Sequence, residues 1–148
     1  MAQPIQFAGE TITLAASAAR TASANGTTVH VASGRSRYVV LLSVADASLT
    51  AAGDTLDVYV DLSPDGGTTW VNAIHFTQRA GDASGAAKEV AILDSASAAA
   101  TVTDVTTDAA SGAVRPYVFG NAIRARWAIV DSGDHNSSHT FGVSAFAM

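Results

Sequence analysis

The chain has 148 residues, enough for one domain with its own core, and a net charge of −5. One lysine and seven arginines make no basic stripe of the kind that tracks a nucleic-acid backbone. The lack of cysteine rules out disulfides and thiolate metal centres, and no apolar run approaches the roughly 20 residues of a membrane helix. The 48% hydrophobic share includes 31 alanines, each burying little more than a methyl group. The core is therefore expected to be thin for its length and to gain from packing against copies of the chain or a partner.

In chain order, residues 1–7 lack the charged start and apolar stretch of a signal peptide, which predicts a soluble protein without classical export. Residues 1–10 read as an N-terminal arm and 11–148 as a single β-sandwich domain. Weak strand candidates come first, at 11–14 and 27–31. Between them the Ala/Ser/Thr-rich stretch 15–26 could hold a turn of helix near Ala15–Ala19. Residues 37–45 predict a strand buried on both faces, because Val39-Val40-Leu41-Leu42 is continuous and rich in β-branched residues. Leu56, Val58, Val60 and Leu62 alternate with Asp57, Tyr59 and Asp61, which predicts one apolar and one wet face.

The next run alternates Trp70, Ile74 and Phe76 with Val71, Ala73 and His75. Weaker candidates follow at 88–93, 101–105 and 114–119. The low-complexity stretch 94–112 is long for a loop in a compact domain. It is either a functional segment ordered by a partner, or an edge strand at 101–105 flanked by ordinary loop. A second turn of helix is possible near Ala96–Ala100. Ile123, Ala125, Trp127 and Ile129 share a strand face opposite Arg124 and Arg126, and residues 139–147 alternate through Phe141, Val143 and Ala145. Eight to ten short strands separated by Gly, Asp and Ser predict an all-β fold, a single-domain antiparallel β-sandwich, jelly-roll-like.

The sharpest motif is Ser63-Pro64-Asp65-Gly66-Gly67-Thr68-Thr69-Trp70. Pro64 presets φ, Asp65 can accept bonds from following amides, and Gly66-Gly67 supply positive φ. It predicts an antiparallel hairpin joining 54–62 to 70–77, with Trp70 at least half buried. Ser63, Asp65, Gly67, Thr69 and Trp70 resemble the Asp-box, a repeated hairpin of sialidase propellers that is structural there and remote from catalysis. One copy in a chain this short cannot build a propeller.

Asp131, Asp134 and their neighbours cluster oxygen ligands around Gly133 as a calcium loop would, but a hairpin turn explains the same residues. The spacing of His30, His75, His135 and His139 fits no metal motif. No nucleophile motif, phosphate loop or recognisable carboxylate pair is present. Asp57 and Asp61 read as solubilising acids, and no enzyme, metal or cofactor is expected. Arg124 and Arg126 either meet an acidic partner or form a solvated face.

Asp57-Val58-Tyr59-Val60-Asp61, the turn after it, Gly120-Asn121-Ala122-Ile123-Arg124-Ala125-Arg126-Trp127 and Thr140-Phe141-Gly142-Val143-Ser144-Ala145-Phe146 occur in this order. Over residues 54–148 the chain resembles small virion proteins of tailed phages, most of all the capsid decoration, or cement, proteins. The resemblance implies a homotrimer on the outer capsid surface, made in the host cytoplasm, that bridges major capsid protein subunits. The charge balance and the lack of a long apolar run predict no nucleic-acid or membrane partner. A neck or tail component, or a carbohydrate-binding sandwich, are the alternatives.

Overall fold

Alternating apolar residues in the sequence become strands whose inward side chains meet between two sheets. The computed structural model describes residues 9–32, 35–48, 51–80, 85–96, 102, 104–133 and 137–148. The strands are β1 (Glu10–Arg20), β2 (Ala24–Asn25), β3 (Val29–His30), β4 (Arg37–Ser48), β5 (Thr55–Ser63), β6 (Val71–His75), β7 (Arg79–Ala80), β8 (Ala87–Asp94), β9 (Ala113–Val114), β10 (Ala122–Val130) and β11 (Ser138–Ala147). No helix occurs among the described residues.

The first sheet has the order β1-β11-β4-β8 and the second β2-β10-β5-β6-β9, with β3 also on β10 and β7 also on β5. The described pairings are antiparallel. From β1 the chain crosses to β2 and β3, returns for β4, and crosses again for β5 to β7. It comes back for β8, crosses for β9 and β10, and ends on β11 in the first sheet. This winding makes the sandwich a jelly roll.

Leu14, Val40, Leu42, Leu62, Ile74, Leu93, Ile123, Phe141 and Val143 fill the space between the sheets. Each such side chain is worth about 1.5–3 kcal/mol on burial. Trp127 meets Phe141 edge-on with ring centroids 5.6 Å apart, closing the core near β1. Alanines at 73, 91, 125, 145 and 147 are buried beside these larger groups, so small residues line the core without replacing its large ones.

Several expectations need correction. Residues 15–19 are not a helical turn but the second half of β1. Their backbone pairs with β11 through two register shifts, and that ladder overrides alanine's helix preference. Strand β1 starts at Glu10, opposite Ala147, so Glu10 belongs to the first sheet; the remainder of the expected N-terminal arm, residues 1–8, lies outside the description. In β4 only Tyr38, Val40, Leu42 and Val44 are buried among residues 37–45, while Val39 and Leu41 are partly buried on the outer side.

Of the candidate strand 101–105, residues 101 and 103 lie outside the description, and Val102, Asp104 and Val105 are not in a strand. The candidate at 114–119 shrinks to β9, because a turn begins at Arg115, whose carbonyl accepts from Val118 N–H at 3.1 Å. Residues 97–100, where the second turn of helix was expected, also lie outside the description.

The hairpin forms as predicted. Strands β5 and β6 pair antiparallel, and Trp70 is mostly buried. Gly66 and Gly67 adopt φ of 72° and 103°, where a side chain would be strained. Ser63 Oγ donates to Asp65 Oδ1 (2.7 Å) and accepts from Gly67 N–H (2.8 Å), and Asp65 Oδ1 accepts from Thr69 N–H (2.7 Å). The Thr69 amide, then the Ser63 and Thr69 hydroxyls, hold the exposed Asp65 carboxyl down at about 2.

Candidate functional site

The outer side of the second sheet is the most polar part of the fold. Strand β5 places Asp57, Tyr59 and Asp61 there, and the antiparallel register sets Arg124 opposite Asp61 and Arg126 opposite Tyr59. A bulge between Val60 and Asp61 brings Asn72 of β6 beside Asp61, with His75 beside Tyr59. This face is not wet, and Asp57 and Asp61 do not act as solubilising acids. Asp57, Tyr59, Asp61, Asn72 and His75 are all buried, because the segment 104–115 lies across them.

Asp61 is the hub, at 3% exposure. Its Oδ2 accepts from Arg124 Nη2 (3.2 Å) and Arg126 Nε (3.1 Å), and its Oδ1 accepts from Asn72 Nδ2 (3.2 Å). Arg126 Nη2 also donates to Asp108 Oδ1 (2.7 Å) of the covering segment. The guanidinium of Arg124 lies over the Trp70 ring at 4.2 Å and that of Arg126 over Tyr59 at 4.0 Å. Burial and then its bonds to Asp61 and Asp108 act on Arg126 in opposite directions; the carboxylates prevail and raise its pKa.

A second set of bonds fastens the covering segment. Ala109 N–H donates to Asn72 Oδ1 (2.8 Å), and the Ala109 carbonyl faces His75 Nδ1 at 2.9 Å. His75 Nε2 meets Asp57 Oδ1 at 2.7 Å while Gln78 Nε2 donates to Asp57 Oδ2 (2.8 Å). Both nitrogens of His75 face acceptor oxygens, so both contacts are hydrogen bonds only when each nitrogen carries a proton. The ring also stacks on Tyr59, centroids 4.2 Å apart. Arg115 spans the segment, donating to Thr107 O (2.8 Å) and Asn72 O (3.2 Å).

This arrangement joins carboxylates, imidazole and guanidinium to one another and to backbone carbonyls. It holds the segment 104–115 in place. Burial, then Asp57 and Asp108, raise the Tyr59 pKa. Sequence reasoning missed Asp61, Asn72, His75 and Asp108 as one network. The signal available was the opposite charge of Asp57/Asp61 and Arg124/Arg126 at matching positions of two period-two strands.

Two shallow clefts border the β1–β2 edge. The larger, about 450 Å³, is lined by Thr13, Ala16, Arg20, Asn25 and Trp127 among others. Arg20 is already engaged there: its guanidinium lies over Trp127 and Phe141 at 4.5 and 4.3 Å and donates to Ala16 O and Ala18 O. Each tryptophan thus carries a guanidinium over its ring.

At the end of the sandwich, buried Asp54 accepts from Ser132 N–H (2.8 Å), Ser137 Oγ (2.8 Å) and Ala51 N–H (2.9 Å), and Asp131 Oδ2 accepts from Ser137 N–H (3.1 Å). Asp131 is thus bonded to Ser137, while Asp134, His135 and Asn136 lie outside the description. Among the described residues no three His, Asp or Glu side chains are grouped to hold a metal. His139, two residues after Ser137, is fully buried, with neither ring nitrogen hydrogen-bonded. Burial lowers its pKa, Arg79 acting the same way against Asp54, Asp46 and Asp131.

The outer side of the first sheet is different. Phe146, Val39 and Ile92 stand in one cross-strand row, and Ser144, Leu41 and Val90 in the next. Val90 is 63% and Ile92 50% exposed, and Val39, Leu41 and Phe146 are partly buried.

No family model matches the chain, and no curated protein matches it. Among solved structures, the crystal structure of the infectious bursal disease virus VP2 subviral particle is similar over 95% of this chain and 32% of that one, at 14% identity and a TM-score of 0.47. The chain spans about a third of that protein's length.

Proposed function

We propose that this protein is a non-enzymatic structural component of a virion, a capsid decoration protein that works as a trimer and stabilises a major capsid protein lattice. The observation that supports this most is the division of the surface. The polar clusters are bonded within the chain, whereas Val90 and Ile92 stand exposed two residues apart on β8 of the first sheet; Val114 and Val130 of the second sheet, and Val102 outside the strands, are exposed as well. Contiguous exposed apolar side chains mark sites of protein association. The order of strand and turn motifs over residues 54–148, which resembles phage virion proteins, gives the reading its setting. Repetition of weak contacts around a three-fold axis would turn them into firm attachment.

The test is to strip the protein from particles and add it back. Decorated heads should release DNA at a higher temperature than stripped ones, and purified protein should restore the difference. Equal release temperatures, with the protein mapped to the neck or tail, would sink the decoration role.

A further inference from the structure

We propose that the larger cleft at the β1–β2 edge binds a small oxyanion, a carboxylate or phosphate group, with Arg20 as its anchor. The site stands apart from the apolar face of the first sheet.

Arg20 lacks a counter-charge. Arg35, Arg37, Arg124 and Arg126 each pair with a carboxylate, whereas no carboxylate among the described residues pairs with Arg20. Burial lowers its pKa, with no acid acting in the other direction. The described residues that line the cleft include no aspartate or glutamate, although the chain has 13 acidic residues. The cleft is thus a locally cationic place on an acidic protein.

The guanidinium is held in position. It lies over the Trp127 and Phe141 rings, and three of its five N–H groups donate to the carbonyls of Ala16, Ala18 and Phe141. Nε–H and one Nη2–H are left without a partner among the described residues. A donor already ordered in this way loses little freedom when it takes a planar or tetrahedral oxyanion.

The walls of the cleft are preformed as well. Gly26 N–H donates to Ala125 O (2.8 Å), and Gly26 packs so closely on β1 that a Cβ would stand 2.4 Å from the Leu14 carbonyl oxygen. Thr13, Asn25 and Thr27 line the cleft. Their side chains make no hydrogen bond to described residues, so their hydroxyl and amide donors are free for the oxygens of a ligand. A volume of about 450 Å³ suits a small molecule.

The two tryptophans give the test an internal control, because each lies under a guanidinium but only that of Arg20 is unpaired. Glutarate, inorganic phosphate and sodium chloride are titrated at matched ionic strength into the isotope-labelled protein, with Trp70→Phe assigning the two indole N–H signals. Binding at the cleft moves the Trp127 signal saturably with glutarate, phosphate or both, and leaves Trp70 in place. The anion that saturates identifies the ligand class. The absence of a saturable shift overturns the proposal. An equal response to chloride, or Trp70 and Trp127 moving together, marks a general salt effect and overturns it too. Arg20→Lys keeps the charge but loses the fork, and should weaken binding about tenfold. Asn25→Ala changes an exposed residue and should weaken binding with the circular dichroism unchanged. Unaltered binding in both variants would put the anion elsewhere and remove the site.

Discussion

The two outer faces of the sandwich differ in how their side chains are covered, although Val130 at the end of β10 is as exposed as Ile92 of β8. On the second sheet, Asp57, Asp61, Asn72 and His75 would be costly to bury alone, and the chain covers them with its own segment 104–115, matching donors to acceptors. On the first sheet, Val90 and Ile92 stay exposed beside Val39, Leu41 and Phe146. Buried polar groups need fixed partners at set distances, which a chain supplies best to itself. An apolar row is non-directional and can wait for a partner. The first arrangement stabilises the fold; the second is suited to association.

The largest effect on this contrast should come from Asp61→Ala. It removes the shared acceptor of Arg124, Arg126 and Asn72. Breaking a buried pair by deleting one partner costs about 3–5 kcal/mol, and the part-exposed arginines place this case near the lower end. Urea unfolding measures it. Single changes at Val90 or Ile92 should stay within about 0.5 kcal/mol. Equal losses on both sides would erase the distinction.

His75→Ala should cost less, about 1–3 kcal/mol for the partners left unmet. Its sharper readout is local: without the contacts to Ala109 and Asp57, an endoproteinase that cuts before aspartate should cleave ahead of Asp108 faster while the core stays folded. An unchanged cleavage rate would mean that His75 does not fasten the segment.

The acid limb separates this fastening from the core. The His139 pKa is lowered in the fold by burial from an ordinary 6.5, so the unfolded chain takes the proton more readily. Stability from this residue is whole above about 6.5 and declines as pH falls towards the lowered value. His139→Leu should flatten that part of the unfolding profile; an unaltered slope would assign the acid sensitivity elsewhere.

The fold was legible where two-residue alternation was strong. Strands β5, β10 and β11 and the Ser63–Trp70 turn follow from their side chains, because each face of a strand meets one environment. Strand β1 was half hidden, since alanines at 15, 16, 18 and 19 carry no alternation and only pairing with β11 makes them a strand. The covered face was illegible for a different reason. Residues 104–112 are Thr, Asp, Ala, Ser, Gly and Val without pattern, and their position is set by bonds such as Ala109 to Asn72, 37 residues apart in sequence. Asp57 and Asp61 therefore looked solvated. The exposed row was missed because Val39-Val40-Leu41-Leu42 gives no hint that only one side is covered.

The claim that the first sheet is the association face meets its most direct test in paired double variants compared by sedimentation. Val90→Asp/Ile92→Asp puts charges on the apolar rows, and Thr106→Asp/Thr107→Asp puts the same charges on the exposed covering segment of the second sheet. Both should stay folded by circular dichroism. The first pair should sediment as a monomer while the second keeps the assembly state of the unaltered chain. A self-associating Val90/Ile92 variant beside a monomeric Thr106/Thr107 variant would contradict the assignment of the two faces.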